Sequence, residues 1–482
     1  MSNASTSRWT VAVGLAALVA WSIGLGWLSG SFADERDVLE KPVRMFVAMQ
    51  VAAGIVYLLT LLALHRQPTT RGLLMVVIAT GLLMRLAQFG AVPVLEDDYY
   101  RYLWDGAVTA HGHNPYAYSP EHVQQHADDV PEDLRHLAGE SGEVIDRVNH
   151  PRLRTIYPPT AQATFTVGYW ISPFGIQGLR FVWLGLDLVV LCLLLALLRG
   201  SLSPTFSLAI YWLNPLLIKE VFNAGHMELV LVVALLAALL AVLRGLHKTG
   251  GLLLGLAAGA KIWPVLWLPL LLHHSWTNWR RGRGVAVAFA IPAAVLALPI
   301  LLGRLDSGSG FTAYAQRWQM NDSAYLLIHE AAKLLSPEHA HLLARLIVTV
   351  VVLGVVAWCV RRCRPTFDGL VSGATVIAAT LFLLSPTQFP WYYLWLLPLL
   401  VLRPMWSLLA LTVTLPLYYL RFPLDAMGHA AWFDYGIVWL EFVPVWLLLA
   451  WEVWCRSSDP ASNDLRQSVK APACTVRAEV QA

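Results

Sequence analysis

Apolar runs long enough to cross a bilayer recur along the whole chain, and no other feature restricts its fold as strongly. Three of them, at about 9 to 30, 43 to 64 and 72 to 93, precede an acidic stretch. Further runs follow at about 178 to 198, 204 to 219, 227 to 243, 285 to 302, 340 to 360, 369 to 385, 391 to 403, 405 to 420 and 436 to 455. At a rise of about 1.5 Å per residue, about 20 residues of helix cross roughly 30 Å of hydrocarbon. With 57% hydrophobic and only 13% charged residues among 482, the chain is expected to be an all-α polytopic membrane protein of about 13 to 14 membrane helices. A net charge of +3 argues against a nucleic-acid partner, and the basic residues sit in short clusters between the runs.

The first run follows Arg8 and carries the bulky Trp21 and Trp27, so it reads as a retained span and not as a cleavable leader. Cys192 lies within a span, and Cys359, Cys363, Cys455 and Cys474 lie near basic ends or in the tail. An odd number so placed suggests no disulfide framework, and Cys359 and Cys363 read as reduced bystanders.

Charge sets the orientation. The basic connections "HRQPTTR", "RGLHK", "WTNWRRGRG" and "RRCR" belong in the cytoplasm by the positive-inside rule. With the N-terminus inside, three crossings put residues 94–159 outside as one large loop, and its twelve acidic residues against five arginines agree. The segment "GGLLLGLAAGAKIWPVLWLPLLL" would put "WTNWRRGRG" outside if it crossed once. Two short helices broken at Lys261 to Pro264, each covering only about 16 Å, solve this as a re-entrant hairpin packed inside protein. Residues 1–456 then form one transmembrane domain, and 457–482, rich in Ser, Pro, Ala and Asp, form a disordered cytoplasmic tail.

Several constellations carry candidate chemistry. In "VPVLEDDYYRYLWDG", Asp97, Arg101 and Asp105 stand at i, i+4 and i+8 of a helix, with Trp104 on the same face and Asp98 about 100° away. Acids in a first turn can simply complement the helix dipole, an effect of about 0.3–1 kcal/mol. Three in succession at the hydrocarbon boundary exceed that need and point to function. The loop closes on "NHPRLRTIYPPTAQ", where His150, Arg152, Arg154 and Tyr157 either hold a phosphate or anchor the interface. Lys219, Asn223 and His226 share a helical face in "YWLNPLLIKEVFNAGHMELVLV", with Glu220 and Glu228 adjacent. Lys261 marks the apex of the hairpin, where it neutralises an anion or snorkels. "SPTQFPWYYLWLLP" brings Trp391 and Tyr392 to another outer end, as an aromatic belt or the wall of a lipid or sugar site. Arg85, Asp187, Glu441 and Glu452 receive no chemical role.

An outer site sees no nucleotide, and the chain has no phosphate-cradling glycine loop. Jointly, "EDDYYRYLWDG", "GHNPY", "NHPRLRTIYPP", "NPLLIKEVFNAGHME", "GAKIWPVLWLP" and "SPTQFPWYYLWLLP" resemble bacterial integral-membrane GT-C glycosyltransferases, especially polyprenol-phosphate-mannose-dependent mannosyltransferases. The resemblance covers about residues 90 to 400. It implies a GT-C-like helical bundle in the bacterial inner membrane, with the active site facing the periplasm or exterior and both termini cytoplasmic. It implies a polyprenyl-phosphate sugar donor, a glycan or lipid-linked acceptor, contact with membrane lipids, and an inverting displacement. Asp97 or Asp98 would be the general base, positioned by Arg101. His150, Arg152, Lys219 and His226 are candidates for the phosphate, Tyr157, Trp391 and Tyr392 for sugar or prenyl contacts, and Asp105, Asn223 and Lys261 complete the binding set. No cofactor is required and no metal site is assigned, although carboxylates and histidines could bind a divalent ion. The rival readings are a transporter or flippase of a lipid-linked sugar, which would place binding groups near the midplane, and a non-catalytic scaffold.

Overall fold

The computed structural model describes residues 2–33, 37–125, 127–276 and 278–458. The expected tail therefore falls, from residue 459 onward, outside the described residues. Among the described residues the chain is helical throughout, with only isolated bridges such as Arg154 to Ser309 in place of a sheet. Among the described residues, eight helices are long and apolar enough to cross a membrane: Arg8–Phe32, Val43–His65, Ile176–Leu197, Trp279–Leu302, Pro337–Arg362, Phe367–Leu384, Trp406–Ala426 and Ala430–Cys455. Their outward faces carry large apolar side chains in the open, among them Trp27, Leu302, Val350 and Leu447, as expected of surface meant for lipid.

The remaining apolar runs form shorter helices, and local sequence explains why. The third run starts at Arg71, where the Thr70 hydroxyl accepts from Leu73 N at 3.1 Å, but its helix stops at Leu86, ahead of the glycine and proline that follow. The run expected over 204–219 is interrupted at Asn214, which caps a new turn by accepting from Leu216 N and Leu217 N while Pro215 takes the first helical position. A widened π turn then covers Ile218–Asn223, and Gly225, at φ +89°, redirects the chain into Glu228–Leu243.

The segment read as a hairpin does break where expected. One helix runs His247–Ala258, the next turns begin at Trp263, and a second helix covers Leu268–Ser275. Its two outer ends meet, with His247 Nδ1 3.0 Å from Ser275 Oγ, so the segment enters and returns at one level. Near that level His273 lies 3.3 Å from the Cys363 carbonyl, so the basic connections around 247, 275 and 363 gather at one end of the molecule. Lys261, at the turn, belongs to the other end.

That other end is built on residues 94–159, whose short helices Asp98–Ala110, Pro120–Gln124, Glu132–Glu140 and Glu143–Asp146 fold back on one another. Asp98–Ala110 lies directly against Pro159–Ile171 because Gly106 has no side chain: a Cβ there would meet the Phe165 carbonyl oxygen at 2.5 Å. Tyr102 from the first helix stacks on Phe165 of the second, centroids 4.5 Å apart. This contact fixes the start of the acidic helix over the bundle.

Candidate active site

Asp97 occupies the residue before the first helical turn, at φ −131° and ψ −3°. It therefore leaves the helical spiral, and the expected face of Asp97, Arg101 and Asp105 with Asp98 set apart does not form. Both aspartates instead converge on one amide: Asn149 Nδ2 donates to Asp97 Oδ1 at 2.9 Å and to Asp98 Oδ1 at 2.8 Å. Asp98 Oδ2 also accepts from the Tyr157 hydroxyl at 3.2 Å and faces His226 Nδ1 at 3.9 Å. Asp97 is open to the cavity water yet walled by protein. That enclosure, and then the charge of Asp98, push its carboxyl up to about 6.

The pair opens into a cavity of about 1360 Å³ whose walls include Tyr157, Lys261, Tyr314, Trp391 and Tyr392. Trp391 is held rigidly, stacked between His226 at 4.0 Å and Phe389 at 4.4 Å. Lys261 reaches the cavity from the hairpin turn, bonded to Glu228 at 2.8 Å and lying 4.2 Å over the Tyr392 ring. Glu228 takes a second bond from Trp395 Nε1 at 2.8 Å. The segment 303–323 also contributes: Tyr314 bonds Tyr392 at 3.0 Å, and Trp318 packs on His150. Arg154 ties this segment to residues 94–159 through Asp306 at 2.5 Å.

Below the aspartates lies a buried charged cluster. Lys219 Nζ is 3.3 Å from Glu220 and 3.5 Å from Glu96, and the Tyr419 hydroxyl reaches both carboxylates at 2.8 and 2.9 Å. His226 is fully buried with neither ring nitrogen hydrogen-bonded, 3.5 Å from Glu96 and 3.7 Å from Glu220. Burial pushes the Glu96 carboxyl up, but Lys219 and His226 outweigh it and hold it below its ordinary value. Glu96, Glu220 and His226 bring ligand-type atoms within 4.8 Å of one another, a set that could hold a metal ion. The Lys219 ammonium already lies among them, so the cluster carries its own cation.

Several expected site residues serve elsewhere. Asp105 is buried away from the cavity, where Gln162 donates to it at 3.1 Å, and burial pushes its carboxyl up. Arg152 points outward, 82% exposed, and pairs with Glu121. Asn223 is buried beneath the loop, accepting from Val94 N and donating to the Val92 carbonyl. Lys219 and His226 lie under the cavity and not on its wall. Arg101 bonds neither Asp97 nor Asp98; its guanidinium donates to the carbonyls of Asn149, His150 and Leu153 at 2.8–3.1 Å. His150, Tyr157, Lys261, Trp391 and Tyr392 do line the cavity. Asn149, Tyr314 and Tyr419 were not singled out from the sequence. Asn149 opens the "NHPRLR" segment, beside His150 at φ +48°, a backbone feature that the sequence does not display.

A polytopic helical membrane protein with an acidic pair above an aromatic cavity is the class this geometry defines. The profile of glycosyltransferase family 87 (GT87) matches residues 155–386. The chain is 26% identical over 349 residues to the alpha-(1->6)-mannopyranosyltransferase A of Mycobacterium tuberculosis, covering 65% of this chain and 62% of that protein. It is also 35% identical over 136 residues to the catalytic subunit of GPI alpha-1,4-mannosyltransferase I of Danio rerio, covering 27% of this chain and 34% of that one. It thus spans less than two thirds of either relative. No solved structure matches it. The segment 155–386 is thus similar to a glycosyltransferase family, and the chain resembles two mannosyltransferases over parts of its length.

Proposed function

We propose that the protein is a membrane glycosyltransferase that moves a mannose from a polyprenyl-phosphate donor to a glycan or lipid-linked acceptor on the extracytoplasmic face, with inversion. The observation that carries this reading is one cavity holding an oriented carboxylate pair, a rigid aromatic wall and a cation. The basic connections at the opposite end of the molecule support an extracytoplasmic cavity.

Asp98 is the general base. Its two oxygens are fixed by Asn149 and Tyr157, whereas Asp97 keeps one oxygen free at the more open edge. Asp98 takes the proton of the acceptor hydroxyl as that oxygen attacks the anomeric carbon. The bond from that carbon to the phosphate oxygen breaks, and polyprenyl phosphate leaves with the electron pair. Lys261 faces the developing phosphate charge, a role for which a prepositioned cation in a water-poor site is suited. Trp391, Tyr392 and Tyr157 offer ring faces and hydroxyls to the sugar. No step requires a metal.

Purified protein incubated with labelled polyprenyl-phosphate mannose and a panel of glycan and glycolipid acceptors should yield an inverted product. Movement of the labelled lipid across vesicles, with no transfer to any acceptor, would overturn this reading in favour of a flippase.

A further inference from the structure

The two carboxylates share a single amide, and that amide is itself held in an unusual way. Asn149 and His150 belong to a loop turn, not to a helix, and His150 adopts φ +48°, a conformation that non-glycine residues rarely take and that surrounding contacts must impose. Those contacts come from Arg101, buried in the helix that begins at Asp98. Arg101 Nη2 donates to the Asn149 carbonyl at 2.8 Å and the His150 carbonyl at 3.1 Å, and Nη1 to the Leu153 carbonyl at 3.1 Å. One guanidinium thus grips the turn on both sides of the strained residue. The same helix that carries Asp98 therefore fixes, one turn later, the backbone whose side chain orients Asp98.

We infer that Asn149 is the positioning residue of the carboxylate pair and that Arg101 acts on the pair only through the Asn149–Leu153 turn. The inference rests on the reading of Asp98 as base. An amide has two protons, and here each is given to a different carboxylate. No single hydroxyl or backbone N–H can do that, and an acid could do it for at most one of the two. The arrangement fixes the separation and facing of two like charges that would otherwise repel, and leaves Asp98 Oδ2 turned toward Tyr157 and the cavity. The role is geometric and electrostatic, and Asn149 itself transfers no proton.

The variants Asn149→Ala, Asn149→Asp and Arg101→Lys, with the Asn149→Ala/Arg101→Lys double variant, test this. For Asn149→Ala, kcat should fall about 10- to 100-fold, the scale of a misplaced reacting group, with little change in donor KM. The acidic limb of the pH–rate profile should move to higher pH, because a donor to the ionised carboxylates has been lost. Arg101→Lys should move both quantities the same way although it touches neither aspartate, and the double variant should be no worse than the more severe single one. Asn149→Asp regains one donor only when protonated, so its activity relative to Asn149→Ala should rise as pH falls.

Wild-type kcat and acidic limb in Asn149→Ala, a change confined to KM, or fully additive losses in the double variant would overturn the inference while leaving the proposed activity standing. The pH dependence of thermal unfolding tests the same clamp without any transfer assay. In wild type, enclosure of Asp97 makes stability fall as pH rises through about 6, and in Asn149→Ala that fall should move to higher pH. An unmoved fall would count against the clamp. Failure of every donor with the wild-type protein would instead remove the proposed activity.

Discussion

Two buried groups of charge, both inside the bundle, are built on opposite plans. Arg85 and Asp187 are fully buried and ion-paired, and only the Nη2 of Arg85 makes no hydrogen bond. Arg85 Nη1 donates to the Gly81 and Trp212 carbonyls at 2.8 Å each, the Tyr211 hydroxyl reaches Asp187 at 2.6 Å, and the guanidinium lies 3.7 Å over the Trp212 ring. The cluster of Glu96, Glu220, His226 and Lys219 is looser. Its ion-pair contacts run from 3.3 to 3.7 Å, and His226 faces its carboxylates without a hydrogen bond from either nitrogen. A buried polar group without a hydrogen bond costs about 1–3 kcal/mol, and the looser cluster leaves two such nitrogens on one ring where the tight pair leaves one. The first group joins helices; the second underlies the aspartates and the Trp391 wall.

The comparison breaks most sharply at the site itself. Asp98→Asn should lower transfer by about 10²- to 10⁴-fold, the usual worth of a general base, with thermal unfolding in detergent close to wild type. Asp97→Asn should be the milder change. If Asp97→Asn proves the more damaging, the two roles are reversed.

At the satisfied pair the expected losses are of the opposite kind. Removing one partner, as in Asp187→Ala, leaves a buried guanidinium uncompensated and should cost about 3–5 kcal/mol of stability. Replacing both with apolar residues of similar volume should recover much of that loss. Activity per folded molecule should be retained in each case. A thermal midpoint unchanged in Asp187→Ala would show that the pair does not hold these helices.

His226→Phe sharpens the contrast with a smaller effect. The ring still stacks on Trp391, but Glu96 and Glu220 lose one of the two cationic partners that offset them, so stability should fall, by less than in Asp187→Ala because Lys219 remains. Transfer should nevertheless fall, because Asp98 loses the imidazole that faces it. A loss of stability matching that of Asp187→Ala would place both clusters in one structural class.

Periodicity read well where an element is continuous. The all-helical class, the short helices of 94–159 and the break at Lys261 to Pro264 are each local, and local hydropathy and turn residues expose them. Lys261, Trp391 and Tyr392 were legible for the same reason: charge or clustered aromatics at the end of an apolar run. The acidic helix was legible in place but not in facing, because its start was read one residue early and Asp97 lies off the spiral. Asn149 was invisible as a partner of Asp97 and Asp98 because about fifty residues of loop separate them, and no helical spacing reports such a contact. Asp105 and Arg152 show the converse: polar residues close in sequence to the acidic pair whose side chains lie off the cavity, one turned into the packing and the other to solvent.

The smallest effect concerns Asp97 and its sign. Enclosure and the adjacent Asp98 raise its carboxyl to about 6 in the folded protein, above the roughly 3.9 of an unfolded aspartate. Between those values the folded state binds the extra proton, so stability is greater at low pH and falls as pH rises toward and through about 6. Because the side chain opens onto cavity water, the change should be modest. Asp97→Asn carries no such charge and should flatten this part of the profile, with a small gain in stability at neutral pH. The proposed base must be free of its proton to act, so wild-type transfer should fall off on the acid side. Paired measurements of thermal midpoint and kcat/KM from pH 4.5 to 8, in steps of about half a unit, would read both. A wild-type stability profile that rises through pH 6 would show that Asp97 is stabilised as an anion and that the pair is not held under mutual repulsion.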